Sequence, residues 1–313
     1  MTAGAVLRVW CLLGLAIFAS TPVCASAATW EELRIEAPGL SATPLRVRVH
    51  LPPDYALTQA RYDVLYVNDG QDMDAVGMAA TLERLYARHA ISRIIVVAID
   101  MPPDRMAGYG LFDRAKGQAL VAGSAYGNVG GNAQVYAEWL TQALVPFIDN
   151  RYRTVAQSEG RALLGWSLGA LSAFGIGWQY PDLFARVGAF SPSFWLAADR
   201  RDAASVQATR IVHRLVDASP SLPRPRLFFG VGSQEETDDR DGDGVIDVLD
   251  DTRDLIDRVR HRCVREACEA ADRETVVLFL LADGRHDQPS WARMLPAFLL
   301  WAHARNTAHQ RSR

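Results

Sequence analysis

The sequence predicts a three-layer α/β domain built on a mostly parallel central sheet. Short, continuous apolar runs such as residues 94–99 and 227–231 indicate strands that helices cover on both faces. Helical stretches such as 77–88 and 168–179 alternate with these runs, as is typical of a parallel sheet. Strands are predicted at 45–51, 64–67, 94–99, 162–164, 187–190, 227–231 and 276–281, and helices at 77–88, 134–148, 168–179, 205–216, 252–261 and 290–304.

The first of these strands has a different pattern. Apolar residues alternate with Arg46, Arg48 and His50 along 45–51, which indicates a strand with one solvent-exposed face near a sheet edge. We therefore expect His50 on that exposed face.

Composition supports one globular domain. With 313 residues, of which 49% are apolar and 22% charged, the chain is neither a disordered tail nor a collagen-like repeat or coiled coil. Its length would allow two domains, but no Pro/Gly/Ser-rich linker or internal repeat divides it. We expect a single domain over 28–313.

Residues 1–27 have the pattern of an export signal. Arg8 is their only charge, 9–18 is an apolar run, and Ala25-Ser26-Ala27 is the small-residue pattern that signal peptidase recognises. The run is too short to cross a hydrocarbon core of about 30 Å, so a retained anchor or other stable membrane insertion is disfavoured. A lipid-modified Cys24 has less support, because Val23 before it is not small. We predict a periplasmic or secreted protein.

Two cysteines remain after removal of the signal. Cys263 and Cys268 lie close together near the end of a predicted helix, and in an oxidising compartment two such cysteines most simply form a disulfide. A zinc site is less favoured, because no second Cys/His pair accompanies them.

The segment Gly165-Trp166-Ser167-Leu168-Gly169 is the most informative motif. It follows a short apolar strand and leads directly into a helix, which is the context of a nucleophile elbow. The sharp turn forces the serine into a strained backbone conformation, and only small residues at positions 165 and 169 avoid a clash. We predict Ser167 as the nucleophile and the Leu168 backbone N–H as an oxyanion donor. An ordinary strand-to-helix turn is the alternative.

A serine hydroxyl needs a base to remove its proton. Of the seven histidines, His286 follows the last apolar strand and comes after the serine in chain order, as in α/β-hydrolases. The others fit ordinary surface or helix positions: His50, His89, His213, His261, His303 and His309.

Two further loops complete the predicted site. Glu235 is the first acid after the strand 227–231 and is our choice for the residue that orients His286, with Glu236 as the alternative. The loop after 64–67 contains a glycine, and we predict that the Gln71 backbone N–H is the second oxyanion donor.

With these motifs the chain resembles the esterase family of α/β-hydrolases that includes feruloyl and acetyl-xylan esterases, siderophore esterases, S-formylglutathione hydrolases and mycolyltransferases. The resemblance implies the same roles for Ser167, His286, Glu235, Leu168 and Gln71. Some relatives use only a Ser/His pair, and many carry a glycine where this chain has Ala170. The similar segments are 51–55, 64–71, 146–149 with 152–154, 165–169, 191–195, and His286-Asp287 followed by Trp291.

Residues 239–250 follow the pattern of a twelve-residue calcium loop. Alternate carboxylates in a tight turn converge on one hard cation, and without it their charges would repel. Asp250 replaces the usual bidentate glutamate at position twelve, so the affinity is expected to be modest. The predicted ligands are Asp239, Asp241, Asp243, Val245, Asp247 and Asp250, with Gly244 at the sharp turn.

Charge is concentrated in this loop. Removing Arg8 changes the net charge from −3 to −4, and the five aspartates and one arginine of 239–250 sum to −4, so the remainder is neutral. This distribution argues against nucleic-acid binding. No glycine-rich phosphate loop follows a strand, so no organic cofactor is expected.

Together these features predict an exported serine esterase. It would act on a small-molecule or glycan-linked ester through an acyl-enzyme, with calcium ordering the loop that carries the acid. Two alternatives remain open: a catalytically silent, calcium-dependent binding module on the same fold, and an acyltransferase that uses the same residues.

Overall fold

A computed structural model describes residues 30–219, 225–265 and 276–305. Its centre is an eight-stranded sheet in the order β1-β2-β4-β3-β9-β10-β11-β12. The pairs β1/β2 and β2/β4 are antiparallel, and all other neighbours are parallel. The eight strands are β1 (Trp30–Ile35), β2 (Leu45–His50), β3 (Asp63–Val67), β4 (Ile94–Ile99), β9 (Arg161–Trp166), β10 (Arg186–Phe190), β11 (Arg226–Gly232) and β12 (Val276–Leu281); two small hairpins supply β5 (Leu111–Asp113), β6 (Gln118–Leu120), β7 (Ala122–Ser124) and β8 (Gly127–Val129).

Helices cover both faces of the sheet, which confirms the predicted three-layer α/β fold. Val97 and Leu163 point into a core beneath α5 (Leu168–Gln179), whereas Val96 and Leu164 point into a second core beneath α1 (Met78–Ala87) and α9 (Gln288–His303). Because side chains alternate across a strand, both sets must be apolar, and the central strands have no polar face. The helices are α1 (Met78–Ala87), α2 (Arg105–Gly108), α3 (Ala133–Glu138), α4 (Val145–Arg151), α5 (Leu168–Gln179), α6 (Ala203–Thr209), α7 (Ile211–Ala218), α8 (Asp247–Arg265) and α9 (Gln288–His303), with a π-helical turn at Trp139–Leu144.

The helix predicted at 205–216 is broken in two at Arg210. This residue leaves helical geometry at φ −54° and ψ 119°, and its guanidinium is buried against Asp251 and Asp254 of α8. Burying an arginine is tolerated only when carboxylates pair with it. The break therefore accompanies the buried ion pairs of Arg210 with Asp251 and Asp254, which lie more than 40 positions away and cannot be read from the local sequence.

The expected exposure of His50 is wrong. The strand β1, which no apolar run or alternation predicted, pairs with β2 and places the centroid of the Trp30 ring 5.1 Å from that of the His50 ring. His50 is completely buried, and burial lowers its pKa to about 4.

Several predicted features fall outside the described residues. These are the signal at 1–27 and Cys268, so the export signal and the Cys263–Cys268 disulfide stay predictions. Among the helices that are described, none has the length and apolar character needed to cross a membrane.

Candidate active site

The candidate site lies where four parallel strands end. Ser167 follows β9, Ser191 follows β10, Glu235 lies after β11, and His286 lies after β12. These strands are adjacent in the sheet, so their carboxyl ends share one edge. In open α/β sheets this edge holds the ligand site.

Ser167 has a strained backbone, with φ 57° and ψ −125°, between β9 and α5. The turn is so tight that a Cβ on Gly165 would lie 2.2 Å from the Gly169 carbonyl oxygen. Only glycine avoids this clash, which explains the first glycine of the motif. Strain of this kind in a non-glycine residue is typical of functional sites.

Two backbone N–H groups at this edge of the sheet are available to a ligand. Within the described ranges, neither the Leu168 nor the Gln71 N–H donates to a protein acceptor. Leu168 is the first residue of α5, where the helix dipole favours negative charge. Gln71 lies in a short 3₁₀ turn, Gly70–Asp72, directly after β3.

His286 and Glu235 are in direct contact. The His286 Nδ1 lies 3.0 Å from Glu235 Oε2, and the Glu235 side chain is 1% exposed while that of His286 is 41% exposed. An ionised carboxylate only accepts hydrogen bonds, so the neutral imidazole must carry its proton on Nδ1. Its Nε2 is then a free acceptor, as a general base requires.

Ser191 donates a hydrogen bond to Glu235 Oε1, the carboxylate oxygen that does not contact His286. This contact was not predicted from the sequence. The Ser191 hydroxyl donates to Glu235 Oε1 at 2.7 Å and accepts from the Trp291 indole at 2.8 Å, and the Gly232 N–H donates to the same Oε1 at 2.6 Å. Ser191 adopts a positive φ of 46°. The similarity of 191–195 to the esterase family was the only signal of this role.

Aromatic contacts connect the serine side of the site to the histidine side. Trp166 stacks on Trp291 with ring centroids 5.4 Å apart, and Trp291 meets the His286 ring at 5.6 Å. Both tryptophans are buried, so they support the site rather than line a substrate pocket. The Ser167 hydroxyl makes no hydrogen bond to His286 in the described chain. Such bonds are often long without substrate and tighten in the complex.

Comparison with known proteins identifies the family. Residues 41–302 match the model of the family described as "Putative esterase". The chain belongs to this esterase family. Its match spans β2 to α9 and therefore includes every strand end that forms the site.

Solved structures of esterases share the fold. A ferulic acid esterase is 16% identical with a TM-score of 0.63, over 88% of this chain and 97% of that one. An IroE-like serine hydrolase from Shewanella oneidensis is 20% identical with a TM-score of 0.62, over 87% and 79%. The enterobactin esterase FES from Shigella flexneri is 16% identical with a TM-score of 0.65, and this chain covers only 58% of its length.

A sequence relative is also found among curated proteins. The uncharacterized protein YbbA of Bacillus subtilis (strain 168) is 23% identical over 190 residues, which are 61% of this chain and 68% of that protein. Its description names no activity. The family therefore rests on the family model, and the solved structures show the fold alone.

Glu236, the alternative acid, has a different environment. Its Oε1 accepts the Val248 backbone N–H at 2.6 Å and so satisfies an otherwise free donor in the first turn of α8. Burial raises the pKa of Glu236 to about 7. Only Glu235 of the two contacts His286.

The acidic loop brings part of the predicted ligand set together. Asp239, Asp241 and Asp243 each offer a carboxylate oxygen, and these oxygens lie within 4.8 Å of one another. Asp247 instead receives the Arg240 backbone N–H at 2.7 Å and pairs with its guanidinium at 3.3 Å. Burial, followed by the charges of nearby aspartates, raises the pKa of Asp250.

An open cleft of about 740 Å³ adjoins the histidine. It lies between the loops after β11 and β12, and both Glu235 and His286 border it. Its other lining residues are Ser233, Gln234, Glu236, Thr237, Arg285 and Asp287.

Proposed function

We propose that the protein is a serine esterase that hydrolyses carboxylic esters through an acyl-enzyme intermediate. Family membership supports ester hydrolysis. The observation that carries the finer proposal is the strained Ser167 at the same sheet edge as the His286–Glu235 pair. A serine hydroxyl is activated by a base that a carboxylate orients, and His286 and Glu235 supply these two groups at the edge where Ser167 lies.

In the proposed reaction, His286 Nε2 takes the Ser167 proton as Oγ attacks the ester carbonyl. The Leu168 and Gln71 N–H groups donate to the oxyanion, and Glu235 stabilises the imidazolium. The imidazolium returns its proton to the departing alcohol oxygen as the C–O bond breaks. His286 then deprotonates a water that attacks the acyl-enzyme, and the imidazolium returns this proton to Ser167 Oγ as the acyl C–Oγ bond breaks and the acid leaves.

Ser167→Ala tests this proposal. It removes the nucleophile but little volume, so we expect an unchanged melting temperature and loss of turnover of p-nitrophenyl acetate. A fluorophosphonate probe should label the wild type and not the variant. A wild type that resists the probe would favour the silent binding module, whereas transfer to an added alcohol in preference to water would favour the acyltransferase.

The substrate is proposed to be a small-molecule or glycan-linked ester. The cleft beside His286 is open, which suits an ester whose alcohol portion extends into solvent. The names of similar structures mention ferulic acid and enterobactin, so feruloyl esters, acetylated sugars and siderophore lactones form the first panel of substrates. A preference of at least about tenfold in kcat/KM, or about 1.4 kcal/mol, would identify the class.

A calcium ion is proposed to stabilise the acidic loop. Asp239, Asp241 and Asp243 offer converging oxygens of the type calcium prefers, and Asp250 completes the sequence pattern. Because Asp247 is engaged by Arg240, it is the weakest member of the predicted set. When bound, the ion supplies charge neutralisation and no chemistry.

Melting experiments test the calcium proposal. Added calcium should raise the melting temperature and a chelator should lower it, while Asp241→Asn should abolish the response. Asp182→Asn, an exposed aspartate outside the loop, is the control. Equal melting temperatures with calcium and with chelator would contradict the proposal.

Export is also proposed, from residues 1–27 and the Cys263/Cys268 pair. Fractionation of expressing cells, with determination of the mature N-terminus, should find cleavage after Ala27 and no reactive thiol. Full-length protein retained in the cytoplasm, or two titratable thiols, would contradict it.

A further inference from the structure

The loop after β3 has an unusual burial pattern for a loop that carries a proposed oxyanion donor. Asn68 and Asp69 are both polar, yet their exposures are 0% and 1%. Asp69 has a left-handed backbone at φ 55°. At Gly70 a Cβ would lie 2.6 Å from the carbonyl carbon of Ala98, so the loop packs tightly against β4.

Arg105 of α2 binds the Asp69 carboxylate of this loop through two hydrogen bonds. Its Nε donates to Asp69 Oδ1 and its Nη2 to Asp69 Oδ2, both at 2.8 Å. This paired geometry fixes the orientation of a carboxylate as well as its charge. The same Nη2 is 3.4 Å from the Trp166 carbonyl oxygen, next to Ser167 in the chain. One guanidinium therefore contacts both the loop after β3 and the end of β9 that precedes Ser167.

Asp69 in turn contacts both proposed donor segments. Its Oδ1 accepts from the Gln71 side chain at 3.2 Å, and its backbone N–H donates to the Tyr109 hydroxyl at 3.0 Å. Its Oδ2 lies where a Cβ on Gly169 would approach within 2.5 Å. The second glycine of the elbow is thus required in this chain by the Asp69 carboxylate.

Asn68 adds a parallel connection. Its side-chain N–H donates to the Gly169 carbonyl at 2.8 Å, and its side-chain oxygen accepts from the Tyr136 hydroxyl at 2.6 Å. The loop and the first turn of α5 are therefore held by hydrogen bonds from side chains that are themselves buried. Rotation of either segment would leave buried polar groups unpaired.

Electrostatics make Arg105 necessary. A buried carboxylate close to the site would oppose the negative charge that develops on the substrate oxygen. The guanidinium compensates this charge while leaving the carboxylate in place to orient the loop.

We propose that Asp69 and Arg105 are positioning residues that hold the Gln71 N–H against the Leu168 N–H, so that both donors reach one oxyanion. This inference rests on the proposed serine esterase function. Neither residue touches the substrate, and both act through the backbone of the loop. Because the two donors matter mainly in the transition state, the pair affects kcat more than KM.

The test compares Arg105→Gln with the wild type on p-nitrophenyl acetate, with active enzyme counted by fluorophosphonate labelling. We expect kcat per labelled site to fall about 10- to 100-fold, with KM within about threefold. Arg161→Gln is the matched control, because Arg161 is more buried than Arg105, with 5% of its side chain exposed against 26%, and pairs with Asp149, but lies at the opposite end of β9. It should lower the melting temperature without lowering kcat per labelled site.

Two further variants separate orientation from charge. Arg105→Lys keeps the charge but not the paired geometry, so it should recover only part of kcat. The double variant Asp69→Asn/Arg105→Gln removes the uncompensated carboxylate and should exceed Arg105→Gln in kcat. If Arg105→Gln does not fold, Arg105→Lys tests the proposal in the same assay, and its kcat per labelled site should lie below that of the wild type.

The outcomes distinguish the two proposals. A wild type that neither labels nor hydrolyses esters would refute the serine esterase proposal and this inference with it. An active wild type whose Arg105 variants match Arg161→Gln in kcat per labelled site would overturn this inference alone.

Discussion

Replacing Glu235 by glutamine should disable the proposed base by fixing the wrong imidazole tautomer. In the structure Oε1 accepts two hydrogen bonds, from the Ser191 hydroxyl and the Gly232 N–H, while Oε2 accepts from His286 Nδ1. A glutamine keeps both Oε1 bonds only if its oxygen occupies that position. Its NH₂ then points at Nδ1 and donates to it, so the ring proton moves to Nε2 and the histidine cannot accept the Ser167 proton.

The size of the expected loss in kcat follows from the free-energy cost of turning the glutamine amide over. Turning the amide over restores the productive tautomer but places NH₂ against the Gly232 N–H and removes the acceptor of Ser191. Each buried group left unpaired costs about 1–3 kcal/mol, so two cost about 2–6 kcal/mol. The productive fraction, and therefore kcat, should fall between about 30-fold and 10⁴-fold.

The assay is kcat on p-nitrophenyl acetate at pH 8, with the melting temperature measured in parallel. Glu235→Ala is the informative control, because it allows either tautomer and should retain more activity than Glu235→Gln despite removing more of the side chain. Glu236→Gln should leave kcat near the wild-type value, since Glu236 does not contact His286. A Glu235→Gln enzyme within threefold of wild type would refute the tautomer argument.

Two predictions concern stability. His50 is buried, and in the part of the chain that the structure describes neither of its ring nitrogens has a hydrogen-bond partner. Lowering its pKa from 6.5 to about 4 corresponds to about 3 kcal/mol. Because only the unfolded chain binds this proton between pH 6.5 and 4, the free energy of unfolding should fall as the pH decreases over that range. Urea titrations should find a smaller decrease in His50→Leu. Equal decreases in the two proteins would contradict the lowered pKa of His50. Gly165→Ala should lower the free energy of unfolding by at least about 3 kcal/mol in the same titration at pH 7. The added Cβ would clash with the Gly169 backbone, which cannot move away. Gly123→Ala, where a Cβ meets nothing within 4 Å, is the control, and equal losses would count against the steric argument.

Much of the fold was predictable because its determinants are local. All seven strands expected from apolar runs or alternation are present, since a strand covered on both faces needs continuous apolar sequence. The strand β1 was missed because its own burial is partial, and pairing with β2 is what stabilises it. Missing β1 also produced the error at His50, whose cover by Trp30 comes from 20 residues away in the chain.

The sequence by itself determined the chemical inventory: a serine in a turn that needs small residues two positions before and after it, and a histidine and an acid at the ends of later strands. Tertiary structure alone decided which groups touch. It set Glu235 rather than Glu236 against His286, placed Ser191 behind Glu235, and joined Arg105 to Asp69 across 36 positions of sequence. The physical reason is that a turn is dictated by its own backbone sterics, whereas the partner of a buried charge depends on how distant elements pack.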